Sequence, residues 1–514
     1  MSRATMNTGG IPIATASDQD QPTLVRNKPC HILVLADFSG RDHRDQNDAA
    51  NLDQRRIFEI TRDNIDDVFV RMGVTLDLPI ADEPIKFLEL DDLHPDFIYE
   101  RVDLFSQFRA LKRKLKKRDS FAAAAAEIQS WGSSSQASQS ASTTASPAQS
   151  ATTQSATANA DVLDMLLHSR RAQAEAAHSV KGLIQQIVAP YVIPSPDPRE
   201  AELLQTVDQA ASHLLRKILH SSAFQDIESA WRGLYWLLKQ LETDQQLRLF
   251  VADVSLQEII TDNEAHEDST TQLHKLLLEN RVGEGSVPFS VIVADYQLQD
   301  EVSHCEALAN LASTAADSHA VLVSGGSERM AGCPNLTQVP DPEHWYLHRD
   351  GESDFTLMWQ AIREQDYAQY AVLACPHFML RLPYGANTSP LEAFDFEELP
   401  QDGQHPYYLW GNGAWLLAAQ LGNYFTGGGW SADATRGSKV TQLPLHVYKE
   451  HGQSQVKPCA EINMLDTTAT ALMAHGLMPL RSVRDEDSVV IPPLRAISSV
   501  NPQVLGPWSE VPQS

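Results

Sequence analysis

The sequence predicts an α/β and α+β protein whose mixed sheets are flanked by helices and whose domains are joined by a disordered linker. Three observations support this fold class. An apolar strand pattern near residue 30 opens a series of alternating strand and helix patterns, and a long uncharged stretch then interrupts the chain. Beyond that stretch, buried strands alternate with helices again, which is typical of a mainly parallel sheet covered by helices.

The first part of the chain follows a polar segment, residues 1–29, that is expected to be a disordered tail. The best-defined helix runs from Ile65 to Met72, where apolar residues recur on one face, and Gly73 is expected to end it. The expected elements of this part are strands at 31–36, 56–61, 74–80 and 85–90 and helices at 65–72 and 95–118.

An uncharged spacer separates the two parts. Residues 132–160 contain no charged and no aromatic residue, and 26 of these 29 positions are Ser, Thr, Ala or Gln. Such a segment cannot bury enough apolar surface to offset the entropy lost on ordering. We therefore expect a flexible linker over residues 119–160, and a second tail over residues 501–514.

The second part begins with helical patterns and continues with a strand–helix alternation. Ser222-Ala223-Phe224-Gln225 matches a capping box at the start of a long apolar stripe, and Ser255 with Glu258 opens another helix. Beyond Gly325 the pattern indicates mixed α+β structure. The expected elements up to that point are helices at 161–188, 198–218, 222–241 and 300–316 and strands at 247–254, 289–294 and 320–324.

Composition restricts the classes of partner. The net charge of −27 argues against nucleic acid and against an anionic membrane surface, because both require a basic face. The five cysteines are scattered without metal-ligand spacing, and neither a secretory signal nor an apolar membrane span is recognised. The sequence therefore predicts a cytoplasmic protein.

No motif for catalysis, a cofactor or a metal is recognised. The chain has neither a P-loop nor a GxSxG serine motif, and the Gly-containing runs 324–327 and 426–430 are interpreted as a turn and a loop. His344 and His348 have helical spacing but lack the further ligands that zinc requires. An enzyme of unrecognised type is the least favoured alternative.

A basic run lies at the end of the helix predicted for 95–118. Seven of the ten residues from Arg109 to Arg118 are Lys or Arg. One interpretation is a docking surface for an acidic partner, including the acidic body of this chain. The other is a solvated helix face, since Leu111 and Leu115 preserve an inward apolar stripe.

The first part carries Asp37-Phe38-Ser39-Gly40-Arg41, followed by the segments 62–68 and 85–96. In their order and spacing these motifs resemble the small sheath subunit of bacterial type VI secretion systems, the TssB type. The resemblance covers about residues 30–118.

The second part carries the segment 228–234, Arg381-Leu382-Pro383-Tyr384-Gly385, the segment 394–398, Tyr408-Leu409-Trp410-Gly411-Asn412 and the segment 443–446. These motifs resemble those of the large sheath subunit, the TssC type, and the resemblance covers about residues 161–480. The chain thus resembles a fusion of two subunits, with a small-subunit domain at 30–118 and a large-subunit domain at 161–500. The family's large subunit continues further, so that fusion is expected to be truncated at its C-terminus.

The resemblance implies a structural component of a contractile sheath around an inner tube, held together by contacts between sheath subunits. It also implies contacts with baseplate components and with a AAA+ unfoldase that recycles the sheath. Because the family's terminal strands are expected to be missing, a sheath-derived adaptor, cap or baseplate-associated regulator is the alternative.

The resemblance also selects residues. Those expected to be structural are Asp37, Phe38, Gly40, Arg41, Trp231, Gly233, Arg381, Pro383, Tyr384, Gly385, Trp410, Gly411 and Asn412. The apolar residues of the helix predicted to open the second part resemble the family's unfoldase-binding helix; packing against the body is the alternative. They are Val162, Leu163, Met165, Leu166 and Leu167.

Overall fold

The computed structural model describes residues 28–117, 119–128, 200–266, 270–279, 287–345, 353–399, 405–433 and 436–509. We call the described residues up to 128 the first portion and those from 200 onwards the second portion. Of the linker predicted at 119–160, residues 129–160 lie outside the described residues, as does the predicted unfoldase-binding helix.

A seven-stranded mixed sheet forms the centre of the fold. Five neighbouring pairs of strands are parallel, and the last pair, at one edge, is antiparallel. In spatial order the strands are β14 (Leu477–Pro479), β8 (Ala371–Cys375), β7 (Val321–Gly326), β6 (Val291–Leu298), β1 (Cys30–Ala36), β5 (Leu247–Asp253) and β2 (Ile57–Ile60).

The strand order interleaves the two portions. Strand β1 belongs to the first portion and lies between β6 and β5 of the second, with Cys30 opposite Leu247 and Ile32 opposite Val291. Strand β2, also from the first portion, pairs with the other edge of β5. Both hydrogen-bonded neighbours of β5 therefore come from the first portion.

Helices cover both faces of this sheet. Alternate residues of β1 enter opposite cores: Ile32 and Val34 lie in one, Leu33 and Leu35 in the other, as the two-residue period of a strand requires. In the described ranges, residues 119–128 are helical, and the numbered helices are α1 (Ile65–Met72), α2 (Pro95–Arg101), α3 (Ser106–Leu115), α4 (Glu200–Leu219), α5 (Ser222–Gln240), α6 (Leu256–Ala265), α7 (Gln272–Leu277), α8 (Val302–Asp317), α9 (Asp354–Arg363), α10 (Ala414–Gly428) and α11 (Asp466–Ala474).

The first core contains the helices of the first portion together with α4, α5 and α10. The second core contains α6, α7, α8, α9 and α11. The fold class predicted from the sequence, an α/β and α+β protein with mixed sheets and flanking helices, is thereby confirmed.

Among the described residues there are also four small antiparallel sheets. They are β3 (Thr75–Leu76) with β4 (Ile85–Lys86), β9 (Phe378–Met379) with β10 (Trp410–Gly411), β12 (His446–Glu450) with β13 (Gln453–Lys457), and β11 (Ser438–Val440) with β16 (Val489–Ile491) and β15 (Arg481–Ser482).

Several predicted boundaries differ from the structure. The helix predicted for 95–118 is divided into α2 and α3, because Val102 is extended and a 3-10 turn at Asp103–Phe105 follows it. The capping residue of α5 is Ser221 rather than Ser222: its hydroxyl accepts a hydrogen bond from the Phe224 N–H at 3.4 Å. The glycine run predicted as a loop instead continues α10 as far as Gly428.

Two segments predicted as linker and tail contain ordered contacts. Residues 119–128 are helical, and Ala124 and Ile128 are buried in the first core. Near the other end of the chain, the Leu505 N–H donates to the Gln369 carbonyl at 2.8 Å, and Trp508 packs on Trp430. Local composition gave no sign of these contacts, which depend on residues distant in sequence.

Candidate functional site: the interface between the two portions

The interface begins where β1 ends. Asp37-Phe38-Ser39-Gly40-Arg41 follows that strand directly, and its turn depends on Gly40, whose φ is +73°. A Cβ at Gly40 would lie 2.7 Å from Ile227 Cδ1 of α5 and 2.9 Å from the Thr75 carbonyl oxygen. A side chain is excluded both by the left-handed backbone and by this close approach.

Arg41 joins the first portion to the end of β5. Its guanidinium lies 2.9 Å from the Asp253 carboxylate and 3.7 Å from the Glu258 carboxylate. The Ser39 N–H donates to Asp253 Oδ1 at 3.1 Å. Burial raises the pKa of Asp253 to about 6, against the lowering effect of Arg41.

Glu258 is a second anchor for the first portion. Its side chain is fully buried, and Arg55 Nη2 donates to its Oε1 at 2.9 Å, as does the Asp48 N–H. The other oxygen, Oε2, accepts from the Ser255 N–H, which completes the capping box predicted for α6. One carboxylate thus starts a helix of the second portion and holds two residues of the first.

Trp231 fills the space between α5 and the first portion. The indole is completely buried, and its Nε1–H donates to the Phe38 carbonyl at 2.8 Å. Its ring lies 5.0 Å from that of Phe38 and 4.5 Å from that of Phe69, measured between centroids. Trp231 therefore packs α5 against the first portion.

Within the second portion, a separate ion network joins α5, through Glu228 and Arg232, to the segment from 381 to 398. Arg381 forms bidentate pairs with Glu228, at 2.8 and 3.0 Å, and with Glu398, at 2.7 and 3.0 Å. Arg232 donates to Glu228 at 2.6 Å and to the Tyr384 hydroxyl at 2.8 Å. The Glu228 and Glu398 side chains are at most 1% exposed.

The electrostatics of this network follow from its burial. Burial alone would raise the pKa of Glu398, but Arg381 and the Tyr384 N–H, which donates to Glu398 at 2.7 Å, hold it at about 2. Burial raises the pKa of Tyr384 to about 12. These groups hold the segment from 381 to 398 against α5.

That segment then contacts the first portion. The Asp96 carboxylate accepts hydrogen bonds from the Glu392 and Ala393 N–H groups at 3.0–3.1 Å. Lys112 of α3 lies 2.7 Å from the Asp208 carboxylate of α4 and donates to the Ala393 carbonyl.

The basic run therefore has two parts. Lys112 points into the second portion, whereas Arg113, Lys116 and Lys117 are exposed to solvent. Both interpretations made from the sequence apply, but to different residues of the run.

The remaining motif residues support the second portion internally. Asn412 donates to the Tyr296 carbonyl at 2.8 Å and accepts from the Ala414 N–H at 2.9 Å, which places the start of α10. The Trp410 indole donates to the His405 carbonyl at 3.0 Å, and Pro383 is buried.

Three motif glycines lie where a side chain would collide. A Cβ at Gly233 would come 2.5 Å from Trp415 Nε1, and one at Gly411 would come 2.6 Å from Leu380 Cγ. At Gly385 it would meet the Glu397 carboxylate. These positions are therefore constrained by packing.

Some interface residues belong to no motif that the sequence analysis selected; they are Asp253, Asp208 and Arg55. Asp96 and Lys112 lie in a motif segment and in the basic run, and Glu258 was predicted as a helix cap, but the specific residues that they contact across the interface were not predicted. Those partners lie far away in the sequence, so no spacing could have identified them.

Two further results concern chemistry and membranes. In the described ranges, no group of three or more His, Cys, Asp or Glu side chains is arranged to hold a metal ion. Among the helices of the same residues, none has the length and apolar character needed to cross a lipid bilayer. Val162, Leu163, Met165, Leu166 and Leu167 lie outside the described residues.

Comparison with known proteins identifies both portions. A family model described as VipB, "EvpB/VC_A0108, tail sheath N-terminal domain", matches residues 201–498, which is more than half of the chain. A second model, "Type VI secretion system, VipA, VC_A0107 or Hcp2", matches residues 15–130.

A curated relative supports the same assignment. The type VI secretion system sheath protein TssC1 of Pseudomonas aeruginosa is 30% identical over 297 residues, which cover 55% of this chain and 58% of the relative. The chain thus spans less than two-thirds of that relative's length. The chain belongs to the type VI secretion tail-sheath family, with a VipA-type part followed by a VipB-type part in one polypeptide.

Proposed function

We propose that this chain is a structural component of a type VI secretion contractile sheath, or of a sheath-like assembly, and that it acts in the cytoplasm through protein–protein contact without catalysis. Membership of the sheath family supports a structural role. In the family the small and large subunits are separate; here both parts lie in one chain and share one sheet.

The observation that carries the proposal is the position of β5 between β1 and β2. A strand that is paired on both edges by the other portion makes the two portions one mechanical unit, because backbone hydrogen bonds along both edges resist their separation. Such a unit suits a protein that must transmit force between copies.

The charged motif residues support the same role. Arg41, Arg232 and Arg381 are engaged by buried carboxylates within the chain. Removing one member of a buried, hydrogen-bonded ion pair leaves an uncompensated charge, at a cost of about 3–5 kcal/mol. Residues used in this way fix the relative positions of elements.

Electron microscopy of the purified full-length protein tests the proposal. We expect ordered rings, tubes or filaments from the protein alone, and loss of this order in Arg41→Ala, which removes contacts to Asp253 and Glu258. Arg484→Ala is the matched control, since that side chain is 86% exposed.

The same experiment separates the leading proposal from its alternative. If the protein stays unassembled alone but joins the ends or surface of sheaths made from separate small and large subunits, it is an adaptor, cap or regulator. If it neither assembles nor binds to such sheaths, the structural proposal is wrong.

Contacts with an inner tube, with baseplate components and with a AAA+ recycling unfoldase belong to this proposal as well. For the unfoldase, a peptide spanning residues 158–176 contains the five apolar residues selected from the sequence. We expect it to bind the isolated N-terminal domain of the unfoldase. If neither the peptide nor the whole protein binds at tens of micromolar, that partner is excluded for this helix.

A further inference from the structure

We propose that the first portion closes, within its own chain, the strand position that a free small sheath subunit would need, so that this chain does not accept a separate small subunit there. The proposal rests on the sheath function proposed above and adds to it which partner the chain excludes. We call the position between β5 and β6, which β1 occupies, the strand slot.

The first argument is the hydrogen bonding of the slot. Strand β1 is in register with β5 over seven residues and with β6 over four. Strand β2 is in register with the other edge of β5 over four residues. Neighbouring strands lie about 4.8 Å apart, so β5 and β6 are too far apart to pair with each other while β1 is between them. A foreign strand can enter only if β1 leaves.

The second argument is that hydrogen bonds and ion pairs hold the end of β1 in the strand slot. Arg41 and Arg55 converge on the carbonyl oxygen of Asp253, at 2.5 and 2.7 Å, and both guanidinium groups also contact the Glu258 carboxylate. Release of β1 would leave Glu258 and Asp253 buried without these cations, which is costly in an interior of low polarity.

The third argument is packing next to the slot. Gly40 allows the backbone of the first portion to approach α5 so closely that an added Cβ would lie 2.7 Å from Ile227. Trp231 is buried against Phe38 and Phe69. Aromatic side chains of this size contribute much of the energy of an interface when they are fully desolvated.

The fourth argument is that release of β1 also requires contacts on other elements of the first portion to break. Arg62 donates to the Leu238 carbonyl at 2.8 Å near the end of α5, and His43 lies 2.7 Å from Asp226. On the other side, Lys112 pairs with Asp208. A competitor must therefore displace two strands, a turn and a helix face in one event.

The covalent connection adds a concentration advantage. A tethered partner competes at an effective concentration of the order of 1 mM, so a free competitor of equal affinity at 10 µM would occupy about 1% of the sites. The first portion of this same protein, taken from another molecule, is such a competitor of equal affinity.

The experiment uses two preparations of the full chain with a protease site inserted within residues 132–160. The first is cut after folding, and its first portion carries a fluorophore. The second carries a C-terminal tag and is used uncut, with a cut sample as the matched control. The preparations are mixed at 10 µM each, the tagged protein is captured, and the co-captured fluorescence is measured.

We expect the labelled portion to equilibrate into the cut control but to reach about 1% of the uncut chains or fewer. A parallel set is unfolded together in urea and then diluted, so that equilibrium rather than the rate of release decides the result. Labelling of the uncut chain to the level of the cut control would overturn the proposal. So would uncut chains that exchange first portions as swapped dimers, or cut portions that separate on a sizing column.

The two proposals fail in different ways. Capture of the labelled portion by uncut chains refutes the closed slot and leaves any assembly seen by microscopy untouched. Absence of ordered assembly and of sheath binding refutes the sheath function, whereas the exchange result would still stand as a property of the chain.

Discussion

Replacing Trp231 by alanine should weaken both the fold and the association of the two portions. The indole belongs to α5 of the second portion, but its ring contacts Phe38 and Phe69 of the first, and its Nε1–H donates to the Phe38 carbonyl at 2.8 Å. The side chain is completely buried. Trp231→Ala therefore leaves a cavity and an interface carbonyl without its donor.

The size of the effect follows from these contacts. A buried Trp→Ala change costs about 3–5 kcal/mol. In Trp231→Phe the ring contacts are largely kept but the hydrogen bond is lost, so the expected cost is about 1–3 kcal/mol. Because the lost contacts cross the interface, 3–5 kcal/mol corresponds to an association of the cut portions that is at least roughly 100-fold weaker.

Urea unfolding monitored by circular dichroism measures the loss in free energy of unfolding. Titration of one cut portion with the other measures the loss of affinity between them. Trp345→Ala is the matched control: its indole donates to the Val339 carbonyl at 3.0 Å, but it is half-buried and contacts the second core. We expect it to lose about 1–2 kcal/mol and to leave the association of the portions unchanged. A soluble Trp231→Ala protein with unchanged unfolding and association would refute the reasoning.

Three further predictions concern the buried charges and the turn. Arg381→Met should lower the free energy of unfolding by about 3–5 kcal/mol in urea titrations, because Glu228 and Glu398 lose their shared cation; an unchanged midpoint would show that the network contributes nothing. Gly40→Ala should destabilise more than Gly73→Ala in thermal unfolding: both have positive φ, but an added Cβ meets nothing within 4 Å at Gly73 and lies 2.7 Å from α5 at Gly40. Equal losses of thermal stability in the two variants would contradict the importance of the close approach at Gly40. Because the pKa of Glu398 is lowered from 4.5 to about 2 on folding, its contribution is complete above about pH 4.5 and is lost as the pH falls towards 2. Glu398→Gln should flatten that part of the stability profile, and a profile identical to that of the parent would exclude this assignment.

Local patterns predicted the elements whose causes are local. The helix that ends at Gly73 was visible because an apolar face recurs at helical spacing and the glycine adopts φ +70°. The capping box of Ser255 and Glu258 is likewise formed within four residues. In these cases the residues that determine the structure are neighbours in the sequence.

The arrangement of the interface could not be read in this way. Which strands flank β5 depends on pairing between segments that are far apart in the chain. The sequence of an apolar strand does not indicate which other strand pairs with it. In the sequence, Asp253 is only one residue of the strand predicted at 247–254, although Arg41 and Arg55 both converge on it. The motifs identified the family, whereas the pairing of the two portions depends on contacts between residues that are distant in the sequence.

The position of β1 has a consequence for synthesis on the ribosome. Cys30 pairs with Leu247, so about 200 residues must be translated after β1 before its neighbour exists, which takes roughly 10–40 s at typical rates of elongation. During that interval the apolar residues of β1 have neither a strand partner nor a completed core. The nascent first portion should therefore depend on chaperones until the second portion emerges, and mutations that slow translation of the later strands should lower the yield of soluble protein without changing its final stability.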